Sequence, residues 1–252
     1  AHPDHSLSRN PGSIDKHLLE YKASTGLEGG GPTMWWGSIP PDQKPMDDLS
    51  LVYDSEVLDA PFEILGRPIA KLRVSASAKR ANWVVRVSDI APDGQVTQVA
   101  AAAFNGTHRN SARDPEDIVP GEEFDLKIDL HFTSWVFQKG HRIRVAVNNA
   151  IWPMLWPTPF PMETKLLIGG NDGLRIEFPV VALKNKKSPN FKEPSANPIL
   201  AGYESLDAGN ITGYAAIDSI EIDPETEEAF GVARNGLATK YPWGVERYQE
   251  EI

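Results

Sequence analysis

The sequence predicts an all-β protein built around a β-sandwich of the jelly-roll type. Its middle part consists of short segments in which apolar and polar residues alternate, as in Glu123 to Leu130, and such alternation is typical of half-buried strands. Glycine and proline turns separate the segments, and no long stretch has the periodicity of an amphipathic helix. Many short strands with such turns indicate a sandwich or a barrel, and a jelly roll is the simplest choice for this number of strands.

The strands are predicted from alternation, and the turns between them from residue type. Seven segments are predicted as strands: Arg67 to Ala76, Asn82 to Ile90, Gln95 to Phe104, Glu123 to Leu130, His141 to Asn148, Thr164 to Ile168 and Leu174 to Val181. Three turns are predicted among them: Pro92-Asp93-Gly94, Pro120-Gly121 and Lys139-Gly140. A fourth turn, Asn171-Asp172-Gly173, predicts a hairpin between the last two strands.

The chain divides into three parts by composition. Residues 1–48 are interpreted as an irregular lead-in, with a short helix around Ser13 to Tyr21. Residues 49–183 form the jelly-roll sandwich. Residues 184–252 are expected to be a linker and a C-terminal β extension that packs on the sandwich. Within this extension we expect strands at Ile211 to Ile222 and Ala229 to Ala233, and a type I′ turn at Asn235-Gly236.

Composition excludes several classes of protein. The 252 residues include 35 Asp and Glu against 25 Lys and Arg, a net charge of −10, which argues against binding to nucleic acid. There is no cysteine, so disulfides and Cys-bound zinc are excluded. No apolar run reaches the roughly 18 residues of a membrane helix, and no signal peptide is visible. We therefore expect a soluble protein without a membrane partner, in the cytoplasm or secreted.

No catalytic residue, metal site or cofactor is predicted in this chain. The Gly-x-Ser-x-Gly elbow of serine hydrolases is absent, and so is the alternating strand and helix pattern that would support it. His2, Asp4 and His5 could bind a metal, but a solvated tail is the simpler interpretation. Asp89 and Asp93 could bind Ca²⁺, but capping of a turn explains them more simply.

The candidate binding residues are aromatic. Trp152, Trp156 and Phe160 lie in a run of apolar residues and prolines between two predicted strands, and Trp35 and Trp36 form a second cluster after three glycines. Proline stiffens such a loop, and an exposed apolar patch would mark an interaction surface. The alternative is that both clusters tuck under the sandwich and close its open ends.

Several short motifs resemble one family, the X-Pro dipeptidyl-peptidase and cocaine esterase (CocE/NonD) serine hydrolases, in the C-terminal domain. The residues that carry the resemblance are Asp42-Gln43, Leu51-Val52-Tyr53, Ser88-Asp89 with Pro92-Asp93-Gly94, Arg109 with Ser111, Pro120-Gly121-Glu122, and Gly140-His141-Arg142-Ile143-Arg144. They are similar to the family's "DQ…LVY", "SD-x-x-PDG", "R-x-S", "PGE" and "GHR-x-R" landmarks, in order and at similar spacing. Where the family usually has "SSS-x-FPR", this chain has Asn148 to Met154 instead.

The resemblance implies a galactose-binding-like jelly roll without catalytic residues of its own. In the family this domain follows an α/β-hydrolase domain with a Ser-Asp-His triad, packs on it and helps to wall the substrate pocket. The implied partner is such a hydrolase domain, in the same chain or in a separate one, and the implied activity is peptide or ester hydrolysis.

Three functional hypotheses follow. The first is an accessory, non-catalytic domain of such a hydrolase. The second is a free-standing jelly-roll module that binds carbohydrate or another ligand through its tryptophans. The third is a structural domain for homo-oligomerisation, in which Tyr241, Trp243 and Tyr248 of the C-terminal extension anchor onto a neighbouring copy.

Overall fold

The structure is a computed structural model that describes residues 1–26, 42–152, 154–180, 190–193, 201–206, 216–223, 226 and 228–251. The chain separates into two compact units. The first contains the described residues up to 180, and the second contains those from 190 onward. Within these ranges, no helix combines the length and the apolar character that a bilayer crossing requires.

The described residues are mostly β-strand. The first unit contains β1 (Ser6–Leu7), β2 (Asp15–Glu20), β3 (Leu51–Ser55), β4 (Phe62–Gly66), β5 (Ile69–Ala76), β6 (Asn82–Ile90), β7 (Val96–Asn105), β8 (Phe124–Asp129), β9 (Thr133–Phe137), β10 (Arg142–Asn148), β11 (Glu163–Ile168) and β12 (Arg175–Glu177). It also contains a one-turn helix, α1 (Lys44–Asp47), and a 3-10 turn at Gly106–His108. The second unit contains β13 (Glu204–Leu206), β14 (Ala216–Asp223), β15 (Glu228–Tyr241) and β16 (Gly244–Glu251).

Two five-stranded sheets form the first unit. The order of the first sheet is β1-β3-β10-β6-β7, and only its β1–β3 pair is parallel. In the second sheet β8 pairs with one edge of β5, and β11 and β12 pair with the other, while β2 lies beyond β11. A separate two-stranded sheet joins β4 and β9.

The core lies between the two sheets and confirms the predicted sandwich. Alternate residues of β5, β6, β8 and β10 point into it and are nearly inaccessible to solvent. Trp83 is 1% exposed and meets Phe124 edge-on, with 5.4 Å between the ring centroids. This arrangement is an all-β sandwich, as the alternating segments predicted. Its more specific assignment as a jelly roll stays a prediction.

The outer face of the first sheet is also covered, which the alternation pattern did not predict. Val84 and Arg86 point away from the core on β6, yet they are 0% and 1% exposed. Met46 and Asp47 of α1 are buried as well, and Asp47 bonds to Arg86. A strand buried on both faces loses its polar side, and this accounts for the apolar sequence of β6 around its single arginine.

The prediction for the N-terminal part was wrong in two respects. Residues 15–20, expected to be helical, form β2, and all six pair with β11. A helix of nine residues is marginal in water, whereas a strand here completes its backbone hydrogen bonds on the sheet. The irregular lead-in predicted for 1–48 also contains β1 and α1.

One predicted hairpin and one predicted turn were wrong as well. Asn171-Asp172-Gly173 does not join a hairpin, because β11 and β12 both pair with β5 and follow one another along its edge. In the second unit β15 passes through Asn235-Gly236 without turning, and both residues pair with β16. The hairpin turn lies at Tyr241 to Gly244 instead, where Pro242 cannot continue the ladder.

The second unit is a four-stranded antiparallel sheet with β15 at its centre. β14 pairs with the first half of β15, β13 pairs with its second half, and β16 pairs with the opposite edge of that second half. Of the strand predicted at 211–222, residues 216–222 belong to β14, and residues 211–215 lie outside the described residues. The strand predicted at 229–233 lies entirely within β15.

Candidate functional site

The candidate site is the loop that connects β10 to β11, residues 149–162, here called the aromatic loop. Trp152 and Trp156 contact each other, with ring centroids 5.0 Å apart and an angle of 58° between the planes. Trp156 is 81% exposed, whereas Trp152 is half-buried. Phe160 lies further along the loop, under the ammonium group of Lys79 at 5.5 Å from the ring centroid. The loop thus presents a large apolar ring to solvent.

Hydrogen bonds from two other segments hold the aromatic loop. The Trp152 amide donates to the Thr25 carbonyl at 2.7 Å, and the Tyr21 hydroxyl donates to the Thr158 carbonyl at 2.8 Å. The Thr158 hydroxyl donates to the carbonyl of Arg80 at 3.1 Å. These bonds join the loop to residues 21–26 and to the β5–β6 connection. The exposed ring is therefore carried on a backbone with fixed anchors.

The residues that depart from the family pattern have a structural role at the base of this loop. Asn149 is 3% exposed. Its side-chain amide donates to the carbonyls of Leu19 and Glu20 at 3.3 and 3.2 Å. It also donates to the Thr164 hydroxyl at 2.8 Å. Asn149 therefore connects the loop to β2 and β11.

The structure brings together part of the predicted set. Trp152 and Trp156 are in contact, and Phe160 shares their loop. Trp35 and Trp36 lie outside the described residues. Lys79, Tyr21 and Thr25 were not predicted, and nothing local in the sequence signals them, because each meets the loop across a distance of many residues. The binding role of all five predicted aromatic residues stays a prediction.

A buried carboxylate connects two of the family landmarks. Asp89 is 4% exposed and accepts two hydrogen bonds, from His141 Nδ1 at 2.8 Å and from Trp135 Nε1 at 2.9 Å. The carboxylate thereby ties β6 to β9 and to the start of β10. Asp89 was interpreted as a turn cap, and this was wrong. Asp93 does cap the turn, since its Oδ1 accepts from the Gln95 amide at 3.0 Å.

A second network lies beneath α1. Asp47 accepts from Arg86 at 2.7 Å through Oδ1 and from Arg144 at 2.9 Å through Oδ2. Gln43 accepts a further bond from Arg86 at 2.9 Å, and Asp54 binds Arg144 through both oxygens at 2.7 and 2.6 Å. Burial lowers the pKa of Arg86, and Asp47 opposes this shift. The hydrogen bonds to Asp54 and Asp47 raise the pKa of Arg144, so both guanidinium groups stay charged.

The landmark formed by Arg109 and Ser111 is structural too. Arg109 donates to the carbonyls of Gly106, Glu116 and Asp117 at 2.8 to 3.2 Å, and its guanidinium lies over the Phe124 ring. Ser111 accepts from the amides of Arg113 and Asp114. These bonds order the connection between β7 and β8. The landmark residues stabilise the sandwich, and none of these contacts forms a nucleophile–base pair.

No metal centre is found in the described part of the chain, where no group of three or more His, Asp or Glu side chains could hold an ion. His2 bonds to the Ser8 hydroxyl at 2.7 Å, and the Asp4 carboxylate accepts from the amide and the hydroxyl of Ser6. These contacts give the N-terminal polar residues partners within the protein.

Comparison with known proteins gives one family and several relatives. A family model described as the X-Pro dipeptidyl-peptidase C-terminal non-catalytic domain matches residues 3–169. The cocaine esterase of a Rhodococcus species is 35% identical over 116 residues, which is 45% of this chain and 20% of the esterase. The solved structure of an α-amino acid ester hydrolase has a TM-score of 0.59 at 20% identity, and covers 71% of this chain and 35% of that chain.

A second solved structure agrees with the first in fold. The aminopeptidase of a marine-sediment Thaumarchaeota archaeon has a TM-score of 0.59 at 22% identity, over 71% of this chain and 36% of that chain. At such identities the likeness concerns the fold alone. The chain spans only 20% to 36% of the length of these three relatives.

Proposed function

This chain belongs to the family of X-Pro dipeptidyl-peptidase C-terminal non-catalytic domains, and we propose that it is the accessory domain of a serine hydrolase that acts on peptides or esters. Two observations support the proposal. The relatives named above are an esterase, an ester hydrolase and an aminopeptidase, and each is much longer than this chain. The motif residues of the family are engaged in stabilising the sandwich. The proposed partner is an α/β-hydrolase domain, in the same chain or in a separate one.

We further propose that the aromatic loop forms one wall of the hydrolase's substrate pocket. The observation that carries this step is Trp156, which is 81% exposed on a loop anchored at Thr25, Tyr21 and Arg80. A large apolar ring on a preorganised loop is typical of a surface that meets a ligand or another domain. The C-terminal part, residues 184–252, is proposed to pack on the sandwich and to support assembly.

The purified chain is expected to have no hydrolase activity of its own. It should not turn over p-nitrophenyl acetate or a Gly-Pro chromogenic peptide, and a fluorophosphonate probe should label no serine, because the sequence lacks the nucleophile elbow. The measurement is a rate above the buffer control, together with in-gel detection of the probe. Labelling of one serine with turnover would contradict the proposal.

In the complete hydrolase, Trp156→Ala is expected to raise KM roughly tenfold, because a pocket wall loses the apolar contact of one indole. Stability should hardly change, since the side chain is already exposed. The matched control is Phe132→Ala, which removes a ring that is 63% exposed between β8 and β9. Equal KM values for the two variants would refute the role of the aromatic loop and leave the family assignment intact.

A second candidate function is homo-oligomerisation through the β15–β16 hairpin. Trp243, Val245 and Tyr248 are 75%, 54% and 45% exposed there, and the Tyr241 and Trp243 rings stack at 5.1 Å. The variant Trp243→Ala tests this role by light scattering, since loss of an oligomer would support it. The free-standing carbohydrate-binding module stays a prediction.

A further inference from the structure

Three aromatic rings stack where the N-terminal segment meets the sandwich. His5 precedes β1, His17 lies in β2 and Tyr53 lies in β3, so the group joins strands of both sheets. The ring centroids of His5 and His17 are 4.5 Å apart, and Tyr53 lies 5.3 and 5.7 Å from them. The planes are within 27° of parallel. Tyr53 is fully buried, His17 is half-buried and His5 is exposed.

His17 has a hydrogen-bond partner on each side of its ring. Its Nδ1 lies 2.8 Å from the Tyr53 hydroxyl. Burial raises the pKa of Tyr53, so this phenol keeps its proton and donates it to Nδ1. The other side of the ring bonds to the backbone of Pro3, which has only a carbonyl to offer. Protonation of Nδ1 would therefore require the buried Tyr53 hydroxyl to turn from donor to acceptor.

His5 is held in the complementary way. Its Nδ1 lies 2.9 Å from the Val52 carbonyl, which can only accept, so Nδ1 carries the hydrogen of the neutral ring. A positive charge on His17 would therefore lie face to face with the His5 ring, with 4.5 Å between the centroids. The interaction with His5 opposes that charge.

The sign of the pH dependence follows from His17. Burial and the neighbouring His5 lower its pKa below the ordinary 6.5, against the opposing effects of Asp15 and of the hydrogen bond to Pro3. The unfolded chain therefore binds a proton more readily than the folded one. The contribution of this contact to stability is complete above about pH 6.5 and is lost as the pH falls further.

The other charged groups of the neighbouring elements are engaged elsewhere. Lys16 of β2 pairs with Glu123, Asp54 of β3 pairs with Arg144, and Lys165 of β11 pairs with Glu163. Asp4 accepts from Ser6, and β11 places the uncharged Leu166 opposite His17. Among the described groups, Asp15 is the carboxylate that acts on His17 directly.

Residues that follow β2 carry the effect toward the aromatic loop. The chain runs from His17 to Tyr21 and Thr25, which bond to Thr158 and Trp152. Loosening of β2 therefore weakens two of the anchors that hold Trp156 in place.

We propose that His5, His17 and Tyr53 form an acid-sensitive contact, here called the clasp, in which protonation of His17 against the stacked His5 ring releases the N-terminal segment and weakens the bonds of Tyr21 and Thr25 to the aromatic loop. The clasp is a property of this chain alone. Its effect on a hydrolase rests on the proposed function.

The test is amide hydrogen exchange of the full chain at about pH 7.5 and about pH 5, corrected for the pH dependence of chemical exchange. We expect protection of residues 15–26 to fall roughly tenfold at the lower pH, while protection of β10 stays constant. Equal protection of residues 15–26 at both pH values would overturn the proposal. Because the chain is measured alone, the outcome does not depend on any hydrolase.

The decisive variant is His17→Gln. A glutamine amide can accept from Tyr53 and donate to Pro3 without titrating, so its segment should stay protected at both pH values. The control is His108→Gln, which removes a histidine whose Nδ1 lies 3.1 Å from the Ser111 carbonyl and should keep the full response. His5→Gln should shift the opening to lower pH. A response in His17→Gln equal to that of the wild type would also overturn the proposal.

Discussion

Asp47→Ala is expected to lower the free energy of unfolding by about 3–5 kcal/mol, because it leaves Arg86 charged and buried without its carboxylate. Arg86 is 1% exposed, and Asp47 accepts from it at 2.7 Å. The same carboxylate binds Arg144, so the variant removes the ion pairs of α1 to two strands at once. Urea unfolding followed by circular dichroism measures the loss.

The matched control is Asp125→Ala, which removes one of the two carboxylates that pair with the partly exposed Arg73. Asp125 lies 3.4 Å from Arg73 with a side chain that is 73% exposed, and such pairs contribute little in water. We expect no measurable loss there. A double variant, Asp47→Leu with Arg86→Met, should be more stable than Asp47→Ala, because an apolar pair carries no desolvation cost. Similar midpoints for Asp47→Ala and Asp125→Ala would show that the buried network does not stabilise the fold.

The strand pattern of this protein was predictable wherever one face of a strand is buried. In β5 and β8 the alternation in sequence matches the alternation in burial, so local chemistry specifies both the strand and its orientation. The sequence of β6 contains a further signal, a central arginine, whose meaning was predicted only in part. Arg86 lies in an otherwise apolar run, Trp83 to Val87. In a strand that is buried on both faces, such an arginine needs a carboxylate partner.

The partner of that arginine could not be predicted from the sequence. Asp47 is 39 residues away from Arg86 and 97 residues away from Arg144, and no local rule links them. The errors at β2 and at residues 171–173 have the same origin. In both places local residue types favour a helix or a hairpin, while the pairing is decided by β11 and β5, which are distant in sequence.

The candidate site was predictable as a set of residues but not as an arrangement. The prolines and tryptophans of the aromatic loop are visible in the sequence, whereas their exposure depends on anchors at Tyr21, Thr25 and Arg80. Sequence alternation contains no information about which of two neighbouring tryptophans is turned outward. Trp156 was therefore identified as a candidate, and its difference from Trp152 comes from the structure alone.

Asp89→Ala is expected to cost about 3 kcal/mol of stability, because two donors, His141 Nδ1 and Trp135 Nε1, lose their acceptor in a largely buried place. Asp89→Asn should cost less, since an amide oxygen still accepts one of the two bonds. The measurement is again urea unfolding. If Asp89→Ala and Asp89→Asn are equally stable, the carboxylate is not the acceptor that holds β9 against β6.

The control comes from the same motif. Asp93→Ala removes one hydrogen bond, to the Gln95 amide in an exposed turn, and should cost at most about 1 kcal/mol. A large difference between two aspartates only four residues apart would show that the "SD-x-x-PDG" landmark owes its first aspartate to the interior and its second to the turn. The side chains of Arg109 and Arg144 are engaged in the same way, in hydrogen bonds that hold the two sheets and their connections in place. Because their side chains already have partners of this kind, such landmarks identify the fold of a non-catalytic domain and contribute no reactive group.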